Sequence, residues 1–284
     1  MSEAWLLDAC ARGEISPQIA LARLLLSGAP VQADALAAQA RARPDAAPLA
    51  ELARLAAADP ERLLTLSTLA RRGFDPEGPD MAAATGALYD RLAAEAPEAA
   101  VAFYSLGDPE QLAAATRELA GVIRAWRSTA GLRVLDLGCG IGRVSAALAQ
   151  DAAEVVGIDV SAGMVAEARR RVGDLSNVRF EQATGRDLAG HADAAYDLVL
   201  AADSWPYVVR AGEAATERML AETVRVLRPG GDLLVFNWSY RGDSDLDVED
   251  ALRLAEAHGL EARRLGERPF RIWDASGFQL RRPA

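Results

Sequence analysis

A glycine-rich turn between a strand and a helix constrains this chain more than any other feature. The stretch VLDLGCGIGRV, residues 134–144, places three glycines directly after a short apolar run. Because glycine has no Cβ, such a turn lets a ligand approach the backbone above the first turn of the following helix. The stretch therefore predicts the first strand–turn–helix unit of an open α/β sheet, with a ligand at the turn.

The spacing of the glycines argues against a dinucleotide as that ligand. Dinucleotide turns follow G-x-G-x-x-G, whereas Gly138, Gly140 and Gly142 form G-x-G-x-G and Arg143 stands at the third glycine position. Asp136, just before the turn, would repel a pyrophosphate but attract a ligand carrying an ammonium or sulfonium charge. A nicotinamide-dependent oxidoreductase is disfavoured further because the chain contains no lysine and hence no Tyr-x-x-x-Lys.

Short strand-like runs alternate with amphipathic helices from residue 132 onward. The runs LRVLDL, AEVVGIDV, NVRFEQA, YDLVLAAD and GDLLVFNWS leave room for crossover helices between them. This alternation predicts an α/β fold with a doubly wound parallel sheet. The tail predicts a helix at about 248–257 and two further strands, LEARRLGE and FRIWDASGFQLRR.

The chain begins with helical sequence. Residues 1–72 are rich in Ala, Leu and Arg and predict an all-α N-terminal region of four or five short helices. Ser16 and Pro17 are typical of the N-cap and first position of one of them.

A segment of different composition connects this region to the sheet. Residues 73–130 predict a Gly- and Pro-rich linker and two lid helices, at about 80–95 and 108–127, the second capped by Asp108. Residues 131–284 then form the ligand-binding domain.

Composition and charge exclude several classes of function. A net charge of −10 makes nucleic acid a poor partner, and no apolar run is long enough to span a membrane. Without a signal peptide and with two free thiols expected at Cys10 and Cys139, we expect a cytoplasmic protein. These cysteines and the two histidines, His191 and His258, lack the spacing of metal ligands, so no metal is expected. The lysine-free, Ala- and Arg-rich composition indicates GC-rich DNA and a bacterial source.

The pair of motifs VLDLGCGIG and VVGIDVSAGMV resembles motifs I and II of the class I S-adenosylmethionine-dependent methyltransferases, over about residues 131–240. The resemblance implies a seven-stranded Rossmann-like sheet with a final antiparallel strand inserted. It also implies S-adenosylmethionine as cofactor, S-adenosylhomocysteine as product, and O- or N-methylation of a small molecule governed by positioning. The Asn-Pro-Pro-Tyr motif common in methylation of amino groups and bases is absent, and DSWPY stands in its place.

The same resemblance implies where the methionine and ribose parts of the cofactor bind. Asp136 would lie near the amino group and Asp159 would accept both ribose hydroxyls, since a carboxylate offers two acceptor oxygens. Ser161 is the better N-cap for the next helix, which leaves Asp159 for the ribose. The residues expected under the methionine part are Gly138, Cys139, Gly140, Gly142 and Arg143.

The adenine would be flanked by Val160 and Met164, although Met164 also fits ordinary core packing. After the third strand the family usually has an acidic residue for the adenine amino group, and this chain departs from that pattern. The contact would come from the backbone of Gly185 or Arg186, or from the hydroxyl of Thr184.

The fourth strand delivers its end to the crevice where open α/β sheets bind ligands. Asp203 is therefore expected beside the transferable methyl, both as a cofactor contact and as a candidate catalytic group with Tyr207 and Tyr240. Because Pro206 separates Trp205 from Tyr207, one of these rings is expected at the site and the other in the core.

Further rim residues follow from the same placement. Asn237, Tyr240 and Arg241 are candidate substrate contacts, and Trp273 is either a fourth contact or a buried strand residue. Tyr104, in the segment before the motifs, is the candidate lid tyrosine for the carboxylate end of the cofactor.

Two other hypotheses stay open at this point. The chain could instead be a catalytically silent methyltransferase-like protein that binds S-adenosylmethionine and docks a partner through its helical N-terminal region. Either protein could form a homodimer, because Ala- and Leu-rich helices also serve as dimer contacts.

Overall fold

A computed structural model describes residues 2–28, 30–76, 78 and 80–284, and it consists of helices followed by a mixed sheet. The helices are α1 (Glu3–Ala11), α2 (Pro17–Leu26), α3 (Ala33–Ala42), α4 (Ala47–Ala58), α5 (Pro60–Arg72), α6 (Met81–Glu95), α7 (Pro97–Val101), α8 (Pro109–Trp126), α9 (Arg143–Leu148), α10 (Ala162–Val172), α11 (Trp205–Arg210), α12 (Glu213–Val226) and α13 (Ser244–Ala257), with a short 3-10 helix at Phe103–Ser105. The strands are β1 (Arg133–Leu137), β2 (Glu154–Asp159), β3 (Val178–Gln182), β4 (Tyr196–Ala202), β5 (Leu227–Phe236), β6 (Glu261–Glu267) and β7 (Gly277–Arg281).

The seven strands form one sheet in the order β3-β2-β1-β4-β5-β7-β6. Strands β1 to β5 pair in parallel, and β7 lies antiparallel between β5 and β6. The doubly wound α/β fold and the inserted antiparallel strand are thus confirmed. The order reverses at β1 and β4, which places a ligand crevice beyond the carboxyl ends of these strands.

Helix starts follow the capping residues of the sequence. The side chains of Ser16, Asp108 and Ser161 each accept a hydrogen bond from the backbone N–H three residues further on, at 3.2, 3.0 and 3.0 Å. Each of these bonds satisfies one of the unpaired N–H groups in the first turn of the helix. The predicted caps of α2 and α8, and Ser161 rather than Asp159 as the cap of α10, are therefore confirmed.

Two element boundaries in the C-terminal part differ from the prediction. Helix α13 begins at Ser244, one turn before the predicted start, because Asp243 accepts a hydrogen bond from Leu246 N and caps it. The last predicted strand was too long: β7 begins at Gly277, and the backbone carbonyl of Ile272 instead accepts a hydrogen bond from Ser16 Oγ at 3.1 Å.

Contacts along the chain define two compact units. The helical unit has a core of Leu and Ala side chains, whereas in the sheet unit the central strands β1, β2, β4 and β5 are mostly buried. The domain boundaries predicted after residues 72 and 130 remain predictions. The helical unit comprises Met1–Asp75, Ala96–Ala115 and Phe270–Asp274, and the sheet unit comprises Pro76–Glu95, Thr116–Pro269 and Ala275–Ala284. Among the described residues, every helix is too short or too polar to cross a membrane.

Candidate cofactor and acceptor site

The turn between β1 and α9 requires glycine for its conformation and for its neighbours. Gly138, Gly140 and Gly142 have φ angles of 79°, 52° and 76°, in the left-handed region that side chains disfavour. A Cβ on Gly138 would lie 2.3 Å from the Cβ of Ser204, and one on Gly142 would lie 2.6 Å from a ring carbon of Phe180. The bare backbone of this turn is therefore imposed by packing as well as by conformation.

Asp159 closes β2 directly beside this turn. Its two carboxylate oxygens accept hydrogen bonds from Gly140 N and from Ser161 N, both at 2.9 Å. Burial raises the pKa of Asp159 above its ordinary value, whereas these two backbone bonds act in the opposite direction. The bonds fix the carboxylate at the carboxyl end of β2, and each oxygen retains a second lone pair for another donor.

Asp136 lies beneath the turn rather than on its surface. It is 1% exposed and accepts a hydrogen bond from Ser145 Oγ at 2.6 Å. Burial raises the pKa of Asp136 to about 6, and the negative charge of Asp159 adds to this effect. Arg143, which donates to Thr116 Oγ1 at 3.1 Å, acts to lower it. Two carboxylates, Asp136 and Asp159, thus lie at the glycine turn, and burial destabilises the charged form of each.

Helix α6 packs over this edge of the sheet. The Asp90 carboxylate accepts hydrogen bonds from Ser161 Oγ at 2.6 Å and from Gly163 N at 2.8 Å. The preceding residue, Tyr89, reaches α11 just after the end of β4, where its hydroxyl lies 2.7 Å from that of Tyr207. The helix is therefore held to both α10 and α11 by polar contacts.

The expected adenine residues are already in contact with α6. A Cβ on Gly185 would lie 2.6 Å from Val160 Cγ1 and 3.0 Å from the Cβ of Ala82. Met164 is completely buried, which corresponds to its alternative reading as a core residue. Arg186 N donates to Thr184 Oγ1 at 3.2 Å, so that this hydroxyl shapes its own loop. Val160 and Gly185, two of the residues expected around the adenine, thus lie close to each other and to α6.

The end of β4 carries the richest polar cluster of the site. Asp203 Oδ1 accepts hydrogen bonds from Asn237 Nδ2 at 2.7 Å and from the Tyr240 hydroxyl at 2.9 Å. The rings of Tyr207 and Tyr240 pack edge to face with centroids 5.7 Å apart. The structure thus brings together Asp203, Tyr207, Asn237 and Tyr240.

Two phenols at this strand end, those of Tyr240 and Tyr89, are held neutral. Although 53% of the surface of Tyr240 is exposed, its hydroxyl points inward. Removal of this hydroxyl from water and the charge of Asp203 hold the pKa of Tyr240 well above its ordinary value. Burial and the neighbouring Tyr207 raise the pKa of Tyr89 in the same direction. Tyr89 and Tyr240 therefore keep their protons near neutral pH.

Two predicted rim residues, Trp205 and Arg241, make other contacts. Trp205 is completely buried against Trp238 and has no surface for a substrate. Of the Trp205–Tyr207 pair, Trp205 is therefore the ring in the core. Arg241 donates to Asp247 Oδ1 at 2.7 Å and also pairs with Asp250, which commits it to α13. Tyr104 and Trp273 both lie in the helical unit, where their rings stack with centroids 5.7 Å apart.

Comparison with known proteins decides the family of the sheet unit. Residues 134–231, from β1 into β5, match a family described as a methyltransferase domain. The chain contains a class I S-adenosylmethionine-dependent methyltransferase domain. This match covers the turn, Asp159 and the Asp203 strand end.

Curated relatives of the methyltransferase domain support the same family. A demethylmenaquinone methyltransferase of Clavibacter sepedonicus is 38% identical over 116 residues, 41% of this chain and 45% of that protein. The trans-aconitate 2-methyltransferase of Deinococcus radiodurans is 41% identical over 105 residues, 36% of each chain. The chain thus spans less than half the length of either relative.

A solved structure extends the likeness of fold beyond the methyltransferase domain. The [4+2]-cyclase SpnF superposes with a TM-score of 0.53, and the match covers 73% of this chain and 98% of that chain. At 20% sequence identity this likeness concerns the fold alone.

The residues of the methyltransferase domain fit S-adenosylmethionine, the cofactor of this family. The ammonium group and the sulfonium of the cofactor carry positive charge, and burial raises the pKa values of the Asp136 and Asp159 carboxylates. A cation beside them would stabilise their ionised forms. The glycine turn lies directly beside these carboxylates, because Gly140 N donates a hydrogen bond to Asp159.

Tyr89 is the site residue that sequence reasoning missed. Tyr104, the predicted lid tyrosine, stays a prediction, and Tyr89 on α6 is a further tyrosine, whose hydroxyl lies 2.7 Å from that of Tyr207. A signal was present, because Tyr89 and Asp90 are adjacent polar residues in the predicted helix at about 80–95. The contact of Tyr89 with Tyr207 depends on tertiary packing that local sequence does not encode.

Proposed function

We propose that the chain is an S-adenosylmethionine-dependent methyltransferase that methylates an oxygen or nitrogen atom of a small molecule. The observation that carries this proposal is the polar cluster of Asp203, Tyr207, Asn237 and Tyr240 in the same unit as the glycine turn. When bound, the cofactor supplies a methyl group activated by its sulfonium. The contribution of the protein is then to orient the acceptor and exclude water.

The proposed roles follow the positions of the side chains. The glycine turn and Asp159 hold the cofactor, and Asp203 accepts a hydrogen bond from the acceptor while Tyr207 and Tyr240 orient it. The cofactor held there would supply the methyl group to the acceptor and would leave as S-adenosylhomocysteine. The proton of the acceptor passes to Asp203 or to water, so that charge and atoms balance.

The names of the relatives and the side chains at the rim both bear on the class of the methyl acceptor. The named relatives act on demethylmenaquinone and on trans-aconitate, which share only that they are small molecules. Arg241 is bound by Asp247 and Asp250, and this pairing does not favour a polycarboxylate at the rim. A neutral hydroxylated ring or an amine suits the phenols and the Asp203 carboxylate better.

Three further expectations belong to the same proposal. Tyr104 and Trp273 remain candidate contacts for the cofactor and the acceptor. The protein is proposed to work in a bacterial cytoplasm, and a homodimer would be detected by light scattering coupled to size-exclusion chromatography.

Calorimetric titration with S-adenosylmethionine, S-adenosylhomocysteine and NADH tests the cofactor assignment. We expect binding of the two sulfur ligands, none of NADH, and a loss of at least about tenfold in affinity for Asp159→Ala. Asp187→Ala is the matched control, since its carboxylate lies in a nearby loop and accepts a hydrogen bond from Ala189 N. Binding of NADH in place of the sulfur ligands would refute the assignment.

A panel of acceptors separates the enzyme from the silent alternative. Phenols, quinols, amines and carboxylic acids are incubated with labelled S-adenosylmethionine, and transfer of label is measured. Transfer that Asp203→Asn reduces supports the proposal. Cofactor binding without transfer to any acceptor in the panel favours the silent protein with a helical docking region.

A further inference from the structure

Two residues at neighbouring strand ends share an unusual backbone conformation. Asp203 follows β4 and Asn237 follows β5, and their φ angles are 62° and 65°. This left-handed region is disfavoured for residues other than glycine, so both conformations must be held by their surroundings. Asp203 N donates to the carbonyl of Phe236 at 2.9 Å, and Asn237 N donates to that of Ser276 at 2.8 Å.

The side chains of the pair meet in a direct hydrogen bond. Asn237 Nδ2 donates to Asp203 Oδ1 at 2.7 Å, and the Tyr240 hydroxyl donates to the same oxygen at 2.9 Å. Two donors on one oxygen define the plane in which the carboxylate lies. A donor to a carboxylate also favours its ionised form.

We propose that Asn237 is a positioning residue that acts through Asp203, by fixing the orientation of the carboxylate toward the methyl acceptor. The inference rests on the proposed function, in which Asp203 contacts the acceptor. It differs from the substrate contact expected from the sequence, because the amide faces Asp203.

A purely conformational role is the competing explanation. Asparagine is one of the residues that tolerate the left-handed region, so Asn237 could be needed for its backbone alone. Glycine adopts this conformation more easily and lacks the amide. Asn237→Gly therefore separates the two roles without disturbing the turn.

A double-mutant cycle with Asp203→Asn provides the kinetic test. With an acceptor identified from the panel, we expect Asn237→Gly to lower kcat by about tenfold while the affinity for S-adenosylhomocysteine changes less than about twofold. In the Asp203→Asn background the same substitution should have no further effect on kcat. A kcat unchanged by Asn237→Gly, or lowered equally in both backgrounds, overturns the proposal.

A second measurement needs no acceptor and therefore distinguishes failure of this inference from failure of the proposed function. NMR of protein labelled at tyrosine Cζ follows the ionisation of Tyr240, with its signal assigned by Tyr240→Phe. The other titratable groups facing the cluster are Tyr207 and Tyr89.

Burial and the charge of Asp203 both raise the pKa of Tyr240. If Asn237 no longer holds the Asp203 carboxylate, the carboxylate should turn away from Tyr240 and the pKa of Tyr240 should fall. We expect Asn237→Gly to move the titration of Tyr240 to lower pH by at least about half a unit, and to do so only when Asp203 is present. An unchanged titration would show that the amide does not hold the carboxylate, whatever the activity of the chain.

Discussion

The hydroxyl oxygens of Tyr89 and Tyr207 lie 2.7 Å apart, although 118 residues separate the two tyrosines in the sequence. Their rings pack edge to face with centroids 5.7 Å apart. This contact joins α6 to α11 at the rim of the site.

The contact between the two phenols should be measurable as a coupling energy. Tyr89→Phe and Tyr207→Phe each remove one hydroxyl and keep the ring, so each should lower the free energy of unfolding by about 1 kcal/mol. Once the first hydroxyl is absent, removal of the second should cost less, which gives a coupling of about 1 kcal/mol. Urea unfolding of both single variants and the double variant provides the values, and strictly additive losses would contradict the bond.

Asp136 should make stability depend on pH. Its pKa is raised to about 6 in the folded protein from an ordinary value of 3.8, so its stabilising contribution is complete below about pH 4 and is lost as pH rises through 6. The shift of about two units corresponds to about 3 kcal/mol.

Asp136→Asn removes this titration while its side-chain oxygen can still accept from Ser145. Relative to the unsubstituted protein, the variant should gain up to about 3 kcal/mol in free energy of unfolding between about pH 4 and about pH 8. Urea titrations across this range test the prediction, with Asp187→Asn as the control. A parallel pH dependence in Asp136→Asn and the unsubstituted protein would exclude Asp136 as its source.

We expect an alanine at position 138 to impair the protein far more than an alanine at Gly131, a glycine of similar backbone conformation. Gly138→Ala places a Cβ 2.3 Å from that of Ser204, whereas Gly131 has a φ of 71° and open space around it. Both substitutions carry the cost of a left-handed alanine, about 1 kcal/mol, and only the first adds a clash. Thermal unfolding and binding of S-adenosylhomocysteine should therefore be impaired more by Gly138→Ala than by Gly131→Ala; equal effects would remove the packing argument.

Helix α6 should have to move before the cofactor binds, because its Ala82 lies close over Gly185: a Cβ on Gly185 would lie 3.0 Å from the Cβ of Ala82. A Cβ on Gly163 would lie 3.2 Å from the Cβ of Ala93, close to the separation in a disulfide. The double variant Ala93→Cys/Gly163→Cys can thus lock α6 to α10. Both native cysteines, Cys10 and Cys139, are buried and have raised pKa values, so they should not compete.

We expect the oxidised lock to bind S-adenosylhomocysteine at least about tenfold more weakly than the reduced form, with affinity restored by dithiothreitol. Each single cysteine variant controls for the substitution itself. Equal affinity of the oxidised and reduced double variant would show that the cofactor enters without displacement of α6.

Local signals predicted the features that depend on neighbours in sequence. The glycine turn, the caps at Ser16 and Ser161 and the alternation of strands and helices each follow from steric or hydrogen-bonding rules that act over a few residues. The inserted strand came from the family resemblance, because strand order is not a local property.

The features that sequence did not predict depend on contacts between distant segments. Phe270–Asp274 reads as the start of a strand, yet Ser16 and other groups of the helical unit bind it. Arg241 reads as a substrate contact, but its guanidinium pairs with Asp247 and Asp250 on the following helix. In both places a local preference is outweighed by a partner that tertiary structure brings near.

The position of β7 between β5 and β6 sets an order for the assembly of the sheet. β6 comes first in the chain, but within the described residues it pairs with β7 alone, and β7 begins ten residues after β6 ends and must dock first. Until then the edge of β5 is open and β6 has no place to pair. The last step of sheet assembly is therefore a double docking, in which β7 binds β5 and brings β6 with it.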